Sequence, residues 1–417
     1  MEITLEKINA RGEPYQLFVD SVKSKETLRR YKNLLYTFLK LIPNQIYQEN
    51  MSEIPQDRKP ATLARFFVNL AKKSPDLASD IIAAYIKEDK KKVDEKILSA
   101  QTLPNHLKPI KVLLDSNRVA IHWKSLSKLL PRFERGSSDR AYTREEIQKM
   151  LKLSKDITDE IILLMFSSAG FRLEAWNYFT WKDIVFFRDE DHDGGFTGAA
   201  LLVYRGDPES YWTFVTPETC RVLDIYREKW KSDIGRYPKL DEPLIKSTRS
   251  MIIHRLNQKG VRKRVEKLAS EIGLRPPLPQ GQRRHEVKLD HGFRKFFNTM
   301  MRRAKVNYLD KEDMMGHKVG LERHYERYSE EDFERFPEYQ KAIPFLTISD
   351  KERQKLELEK KDKELAEEKT VKRQLEKKVD VIKALEEKMN NLENFKEELR
   401  QEFINEIKNL KVLDKEE

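Results

Sequence analysis

Three separated fragments carry side chains suited to moving a phosphoryl group: Gly170-Phe171-Arg172-Leu173-Glu174, His291-Gly292-Phe293-Arg294, and Gly316-His317 with Tyr325 shortly after. His291 and Arg294 are three residues apart, so on a helix they share a face and can reach one bound group. A guanidinium fork matches the paired oxygens of a phosphate in a way that the point charge of a lysine does not. Histidines beside such a group can donate to it or exchange protons around it, provided their tautomers are defined. A tyrosine beyond them can attack phosphorus and divide one hard displacement into two easier ones. Because a phenol titrates near about 10, its activation must come from surrounding cations that stabilise developing negative charge. Each fragment also has a plain structural explanation. Arg172 alone is a surface arginine after a turn, and the His291 segment is a helix packed by Phe293, Phe296 and Phe297. The order and spacing of all three favour the chemistry.

The run Asp290-His291-Gly292-Phe293-Arg294-Lys295-Phe296-Phe297-Asn298-Thr299 resembles the His-x-x-Arg box of the tyrosine recombinases (phage-type integrases), in particular those of archaea and archaeal viruses. Met315-Gly316-His317-Lys318-Val319-Gly320-Leu321-Glu322-Arg323-His324-Tyr325 resembles that family's second histidine box and nucleophile, and Ser24-Lys25-Glu26-Thr27-Leu28-Arg29-Arg30-Tyr31 the opening helix of its DNA-clamping domain. The resemblance implies that Arg172 and Arg294 grip a scissile phosphate, that His291 and His317 assist, and that Tyr325 forms a 3′-phosphotyrosyl link. It further implies double-stranded DNA as partner, several protomers (a tetramer on paired sites), and no metal or cofactor. Three departures stand out. Glu174 follows Arg172 at two residues rather than three. Position nine after His317 is Glu326, which leaves Tyr325 at eight and Tyr328 as a competitor. The hairpin where the family has a leaving-group lysine carries Arg205 instead; because arginine hardly ever deprotonates, either Arg205 acts electrostatically, or the acid comes from elsewhere, or activity is reduced. Two other functions use much the same features: a type IB topoisomerase-like swivelase, and a non-catalytic architectural DNA-binding protein.

The elements that would hold these residues divide the chain in three. Residues 13–132 read as a helical DNA-clamping domain. Leu28, Tyr31, Leu35, Phe38 and Ile42 recur at helical spacing, with Ser24 as cap and Pro43 as stop. Arg29, Arg30 and Lys32 lie toward other faces and are the DNA-contact candidates. Residues 142–348 read as the catalytic domain, opening on a capping box from Thr143 to Glu146. Short β-branched and aromatic runs at Ile184–Phe187, Leu201–Tyr204 and Tyr211–Val215 predict strands, and Pro217 behind Thr216 predicts a further helix. The expected fold is mainly α with a small antiparallel β-sheet. Residues 350–413 predict a coiled-coil tail. With Leu375 at position a, the core positions include Ile382, Met389 and Phe403, with Val371, Leu385, Leu392 and Leu399 at d. A solitary solvated helix is the alternative.

Residues 350–417 hold 18 Lys and Arg against 20 Asp and Glu, leaving 63 against 50 in residues 1–349, so the body is basic and the tail nearly neutral. That balance suits a polyanionic partner with salt-sensitive affinity. The single cysteine, Cys220, excludes an internal disulfide and a multi-cysteine metal site. Neither a membrane-length apolar run nor the layout of a secretion signal is present, so the expected setting is cytoplasmic and nucleoid-associated. Asp189-Glu190-Asp191-His192-Asp193-Gly194 begins like a calcium loop, but Ala200 stands where a bidentate glutamate belongs. An acidic hairpin turn is expected there.

Overall fold

A computed structural model describes residues 12–51, 53–132, 139–189, 194–247, 252–279, 284–317 and 333–413. The chain divides into two compact units, Met1–Ser138 with Leu278–Arg284, and Asp139–Pro277 with His285–Glu417.

In the first unit the described residues form helices Pro14–Asp20, Lys25–Leu41, Asn44–Met51, Pro60–Lys73, Pro75–Asp94, Leu103–Ser116 and Trp123–Ser127. Proline opens several of them, where its missing N–H costs nothing and its fixed φ suits the first turn. The Ser24 hydroxyl accepts the Thr27 N–H at 3.4 Å, and the helix it caps ends at Leu41, because Ile42 before Pro43 is extended. Leu35, Phe38 and Ile42 are buried, and Leu28 and Tyr31 pack at the margin of the same core. Arg29 and Arg30 are exposed and Lys32 is half-buried. Arg29 is paired with Glu26 at 2.7 Å. The buried Asp89 carboxylate is satisfied by Lys92 at 2.8 Å and His106 at 2.7 Å, joining two helices through one group.

The second unit begins with the capping box. Thr143 accepts from the Glu146 N–H at 3.2 Å, and Glu146 accepts from the Thr143 N–H at 2.8 Å, opening helix Arg144–Leu153. Helix Ile157–Ala169 is apolar on almost every side and runs through the middle of the core. It stops at Gly170, whose φ of 60° is the left-handed C-cap conformation. The sheet is antiparallel in the order β1 (Ile184–Arg188), β2 (Phe196–Val203), β3 (Tyr211–Val215), with Ile184 opposite Leu201 and Leu201 opposite Thr213. β2 starts five residues before the expected Leu201 because it pairs on both sides. Tyr204 leaves it at a φ of 59° to begin the hairpin turn. The Thr216-capped helix Pro217–Ile234 follows, then Gln258–Glu271, His291–Arg303, Tyr308–Met314, Phe336–Gln340 and Ile343–Leu346. The fold is mainly α with a small antiparallel sheet, as expected. Among the described residues no helix is long and apolar enough to cross a membrane.

The last helix, Asp350–Leu413, contains 64 residues. Its start belongs to the second unit. The Glu218 carboxylate accepts the N–H groups of Ile348 and Ser349 at 2.8 and 2.9 Å, Arg221 pairs with Glu352, and Leu356 packs against the core. Beyond that point the heptad residues Val371, Leu375, Ile382, Leu385, Met389, Leu392, Leu399 and Phe403 form an apolar line, interrupted by Lys378 and Lys396, that is 45–67% exposed.

Candidate active site

Arg294 is the centre of the site. It stands on helix His291–Arg303, whose Phe293, Phe296, Phe297 and Met301 are buried, and this packing draws the arginine inward until only 7% of it is exposed. An arginine that deep needs acceptors. Nη1 donates to the Gly170 carbonyl at 2.8 Å, and Nη2 donates to the Met315 carbonyl at 2.6 Å and to His317 Nε2 at 2.7 Å. These bonds use three of its five N–H groups. All three sequence fragments therefore meet at one guanidinium. Burial pulls Arg294 below its ordinary value, and the Arg172 charge adds to that pull.

Two glycines make the approach possible. At Gly170 a Cβ would lie 2.4 Å from the Phe297 ring, and at Gly316, with a φ of 66°, 2.3 Å from the Tyr211 ring. Gly316 also closes helix Tyr308–Met314. Its N–H bonds to the Asp313 carbonyl at 2.8 Å, and the next N–H, of His317, turns back to the Glu312 carbonyl at 2.9 Å. This turn swings the His317 ring over the last helical turn, where Nδ1 lies 2.5 Å from Glu312 Oε2. The other Glu312 oxygen takes the Lys311 ammonium at 2.9 Å. Burial acts to raise the Glu312 carboxyl, but the bonds from Lys311 and His317 outweigh it and hold the group below its usual range.

Arg172 caps the 3₁₀ turn Leu173–Asn177 and is half-buried. Its charge reaches Tyr211 and Arg294, yet among the described residues its guanidinium has no hydrogen-bond or ion-pair partner. Tyr211 is buried and its hydroxyl lies beside the Arg294 guanidinium, outside hydrogen-bond geometry. Burial raises that phenol above its ordinary value.

Other site candidates stand apart. His291 is the first residue of its helix and is exposed, so it shares a face with Arg294 but not its depth. Arg205, in the β2–β3 turn, is tied to the buried Asp183 carboxylate and donates to the Lys182 carbonyl at 2.8 Å. Tyr325 and Tyr328 lie outside the described residues. Most of the acidic run after Asp189 also lies outside them. Its flanks form a hairpin closed by the Asp189 N–H on the Gly195 carbonyl at 2.9 Å. Among the described residues no group of acidic, histidine or cysteine side chains has the arrangement of a metal site.

With this geometry in hand, comparison with solved structures finds DNA recombinases and integrases. The lambda integrase tetramer bound to a Holliday junction is 14% identical, with a TM-score of 0.44 over 79% of this chain and 84% of that one. A lambda integrase dimer on a COC′ core site gives 14%, 0.43, 78% and 95%. XerA recombinase gives 14%, 0.32, 76% and 99%. No protein-family profile and no curated protein matches the sequence.

Sequence reasoning missed Glu312, Lys311 and Tyr211. Glu312 had a readable signal. A glycine one residue before a histidine, at a helix end, turns that histidine back toward the residue five before it. Tyr211 had none, since a strand residue facing a distant arginine leaves no local pattern.

Proposed function

We propose that this chain cuts and rejoins DNA through a 3′-phosphotyrosyl intermediate, as an integrase-type recombinase. The observation that carries the proposal is the Arg294 guanidinium held between Gly170, Met315 and His317, with the Arg172 charge, which has no partner among the described residues, within electrostatic reach. A fixed guanidinium with a second cation in electrostatic reach suits a phosphodiester, whose charge rises in the transition state. The Tyr325 hydroxyl would attack phosphorus, form the phosphotyrosine bond and expel the 5′ oxygen, which takes up a proton. A second 5′-hydroxyl then attacks, restores a phosphodiester and frees the tyrosine. One ester bond replaces another at each step, so no external energy source is required.

In this mechanism His317 and the exposed His291 assist at the phosphate oxygens. Arg205 contributes charge from the hairpin and, tied to Asp183, does not donate the proton. Arg29, Arg30 and Lys32 grip backbone phosphates from the first unit, with Arg29 exchanging Glu26 for DNA. The exposed apolar line of the last helix supports assembly of several copies on paired sites, which favours recombination over a monomeric swivelase.

The test is covalent trapping. A bound sequence is first selected from random duplexes, then offered as a nicked suicide substrate without divalent metal. A denaturant-resistant adduct is expected from the wild type and from Tyr328→Phe, and none from Tyr325→Phe, with binding retained in all three. An adduct that persists in Tyr325→Phe and disappears in Tyr328→Phe reassigns the nucleophile. No adduct from any of them removes the proposal.

A further inference from the structure

We infer that Glu312, paired with Lys311, is a positioning residue that fixes His317 as its Nδ1–H tautomer and aims Nε2 at the phosphate-binding arginine. The inference deepens the proposed function and rests on it for its catalytic consequence, but the tautomer itself follows from donors and acceptors.

Arginine has no acceptor, so the 2.7 Å contact between Arg294 Nη2 and His317 Nε2 requires a lone pair on Nε2. In the neutral ring the proton must then sit on Nδ1, where Glu312 Oε2 receives it at 2.5 Å. Free histidine prefers the opposite tautomer, so the carboxylate has to select this one. Glu312 can do so because it is itself held. Its side chain is 14% exposed, and its second oxygen is bound by Lys311, whose side chain is 10% exposed. Lys311 in turn lies 5.0 Å from the centroid of the Tyr308 ring.

The backbone turn at Gly316 supplies the registration, since the His317 N–H bonds to the carbonyl of the same Glu312 whose side chain takes Nδ1–H. When a phosphate oxygen replaces Nε2 on Arg294, the freed nitrogen can take a proton from solvent and donate it in a hydrogen bond to that oxygen. Glu312 still accepts from Nδ1 and stabilises the imidazolium. The charged groups around the ring among the described residues are Glu312 and Lys311 from one helix, Arg294 from another, and Arg172 acting on Arg294.

The experiment uses full-length protein labelled with ¹⁵N-histidine, with His317 assigned by its loss in His317→Gln. Two-bond ¹H–¹⁵N correlations should show His317 protonated at Nδ1 in the wild type. In Glu312→Ala it should revert to Nε2–H. On the selected suicide duplex, Glu312→Ala should cleave at least about tenfold more slowly, a fraction of the 10²–10⁴ typical of a positioned acid–base group. In a His317→Ala background, Glu312→Ala should cost nothing further. An Nε2–H signal in the wild type, or an undiminished loss in the His317→Ala background, overturns the inference. If the wild type forms no adduct at all, the proposed function falls and the spectra alone decide the tautomer.

Discussion

Arg294 and Arg172 should behave differently when removed, although both would act on the same phosphate. Arg172→Ala deletes a half-buried guanidinium with no partner among the described residues, so folding loses little, within about 0.5 kcal/mol. Arg294→Ala strips the donor from two buried carbonyls, those of Gly170 and Met315, and from His317. Each buried acceptor left without a donor costs about 1–3 kcal/mol. Relief of the desolvated guanidinium offsets part of this, because its partners are neutral and no uncompensated charge remains. The net loss should be about 2–4 kcal/mol, or roughly 5–15 °C in melting temperature for a unit of this size. In cleavage both variants should fall by about 10²–10³, the usual effect of losing one preorganised donor. The assay pairs thermal melting followed by tryptophan fluorescence with adduct yield on the selected duplex. Arg294→Lys should recover part of the stability and little of the activity, since one ammonium cannot serve three acceptors at guanidinium spacing. Equal melting temperatures for the two alanine variants would refute the anchoring role of Arg294. Full cleavage by either would refute its place in the site.

Gly316→Ala should lower both cleavage and melting temperature, because the new methyl group falls 2.3 Å from the Tyr211 ring in a left-handed turn; wild-type values in this variant would show that the turn can be made another way. A chain ending at residue 360 should keep its fold and single-site DNA binding but sediment as a smaller species than the full chain, whereas ending it at 349 should also lower stability, since Glu352 and Leu356 pack on the second unit. If the full chain and the 360-residue chain both sediment as monomers, the apolar line of the last helix does not mediate self-association. Burial raises the Glu218 carboxyl above its ordinary value, against the pull of the Ile348 and Ser349 N–H groups. The folded state therefore holds this proton more tightly than the unfolded one, and its contribution is full below about 4.5 and lost as pH rises through the folded value. Denaturant titrations from pH 4 to 8 should show Glu218→Gln gaining on the wild type as pH rises, and a flat difference would contradict the shift.

Sequence alone carried the parts of this protein that depend on neighbours along the chain. The Thr143–Glu146 capping box, the helix end at Pro43, the strand runs, and the apolar spacing of Leu35, Phe38 and Ile42 are set within a few residues, so they were legible before any packing was known. So was the grouping of Arg172, Arg294 and His317, because their residue types and order suit one chemistry. Tertiary structure decided how those groups are used. His291 and Arg294 share a helical face, but the packing of Phe293 and Phe297 draws only the arginine into the interior. Arg205 stands on the expected hairpin, yet a carboxylate 22 residues away in sequence holds it. The last helix reads as beginning a separate tail, whereas Glu218, 130 residues before Ile348, clamps its approach to the second unit. The physical reason is common to all three. Periodicity and capping are short-range and repeat wherever the pattern occurs. The depth of a side chain and the partner it finds depend on which distant segments the core brings against it, and no local pattern records that.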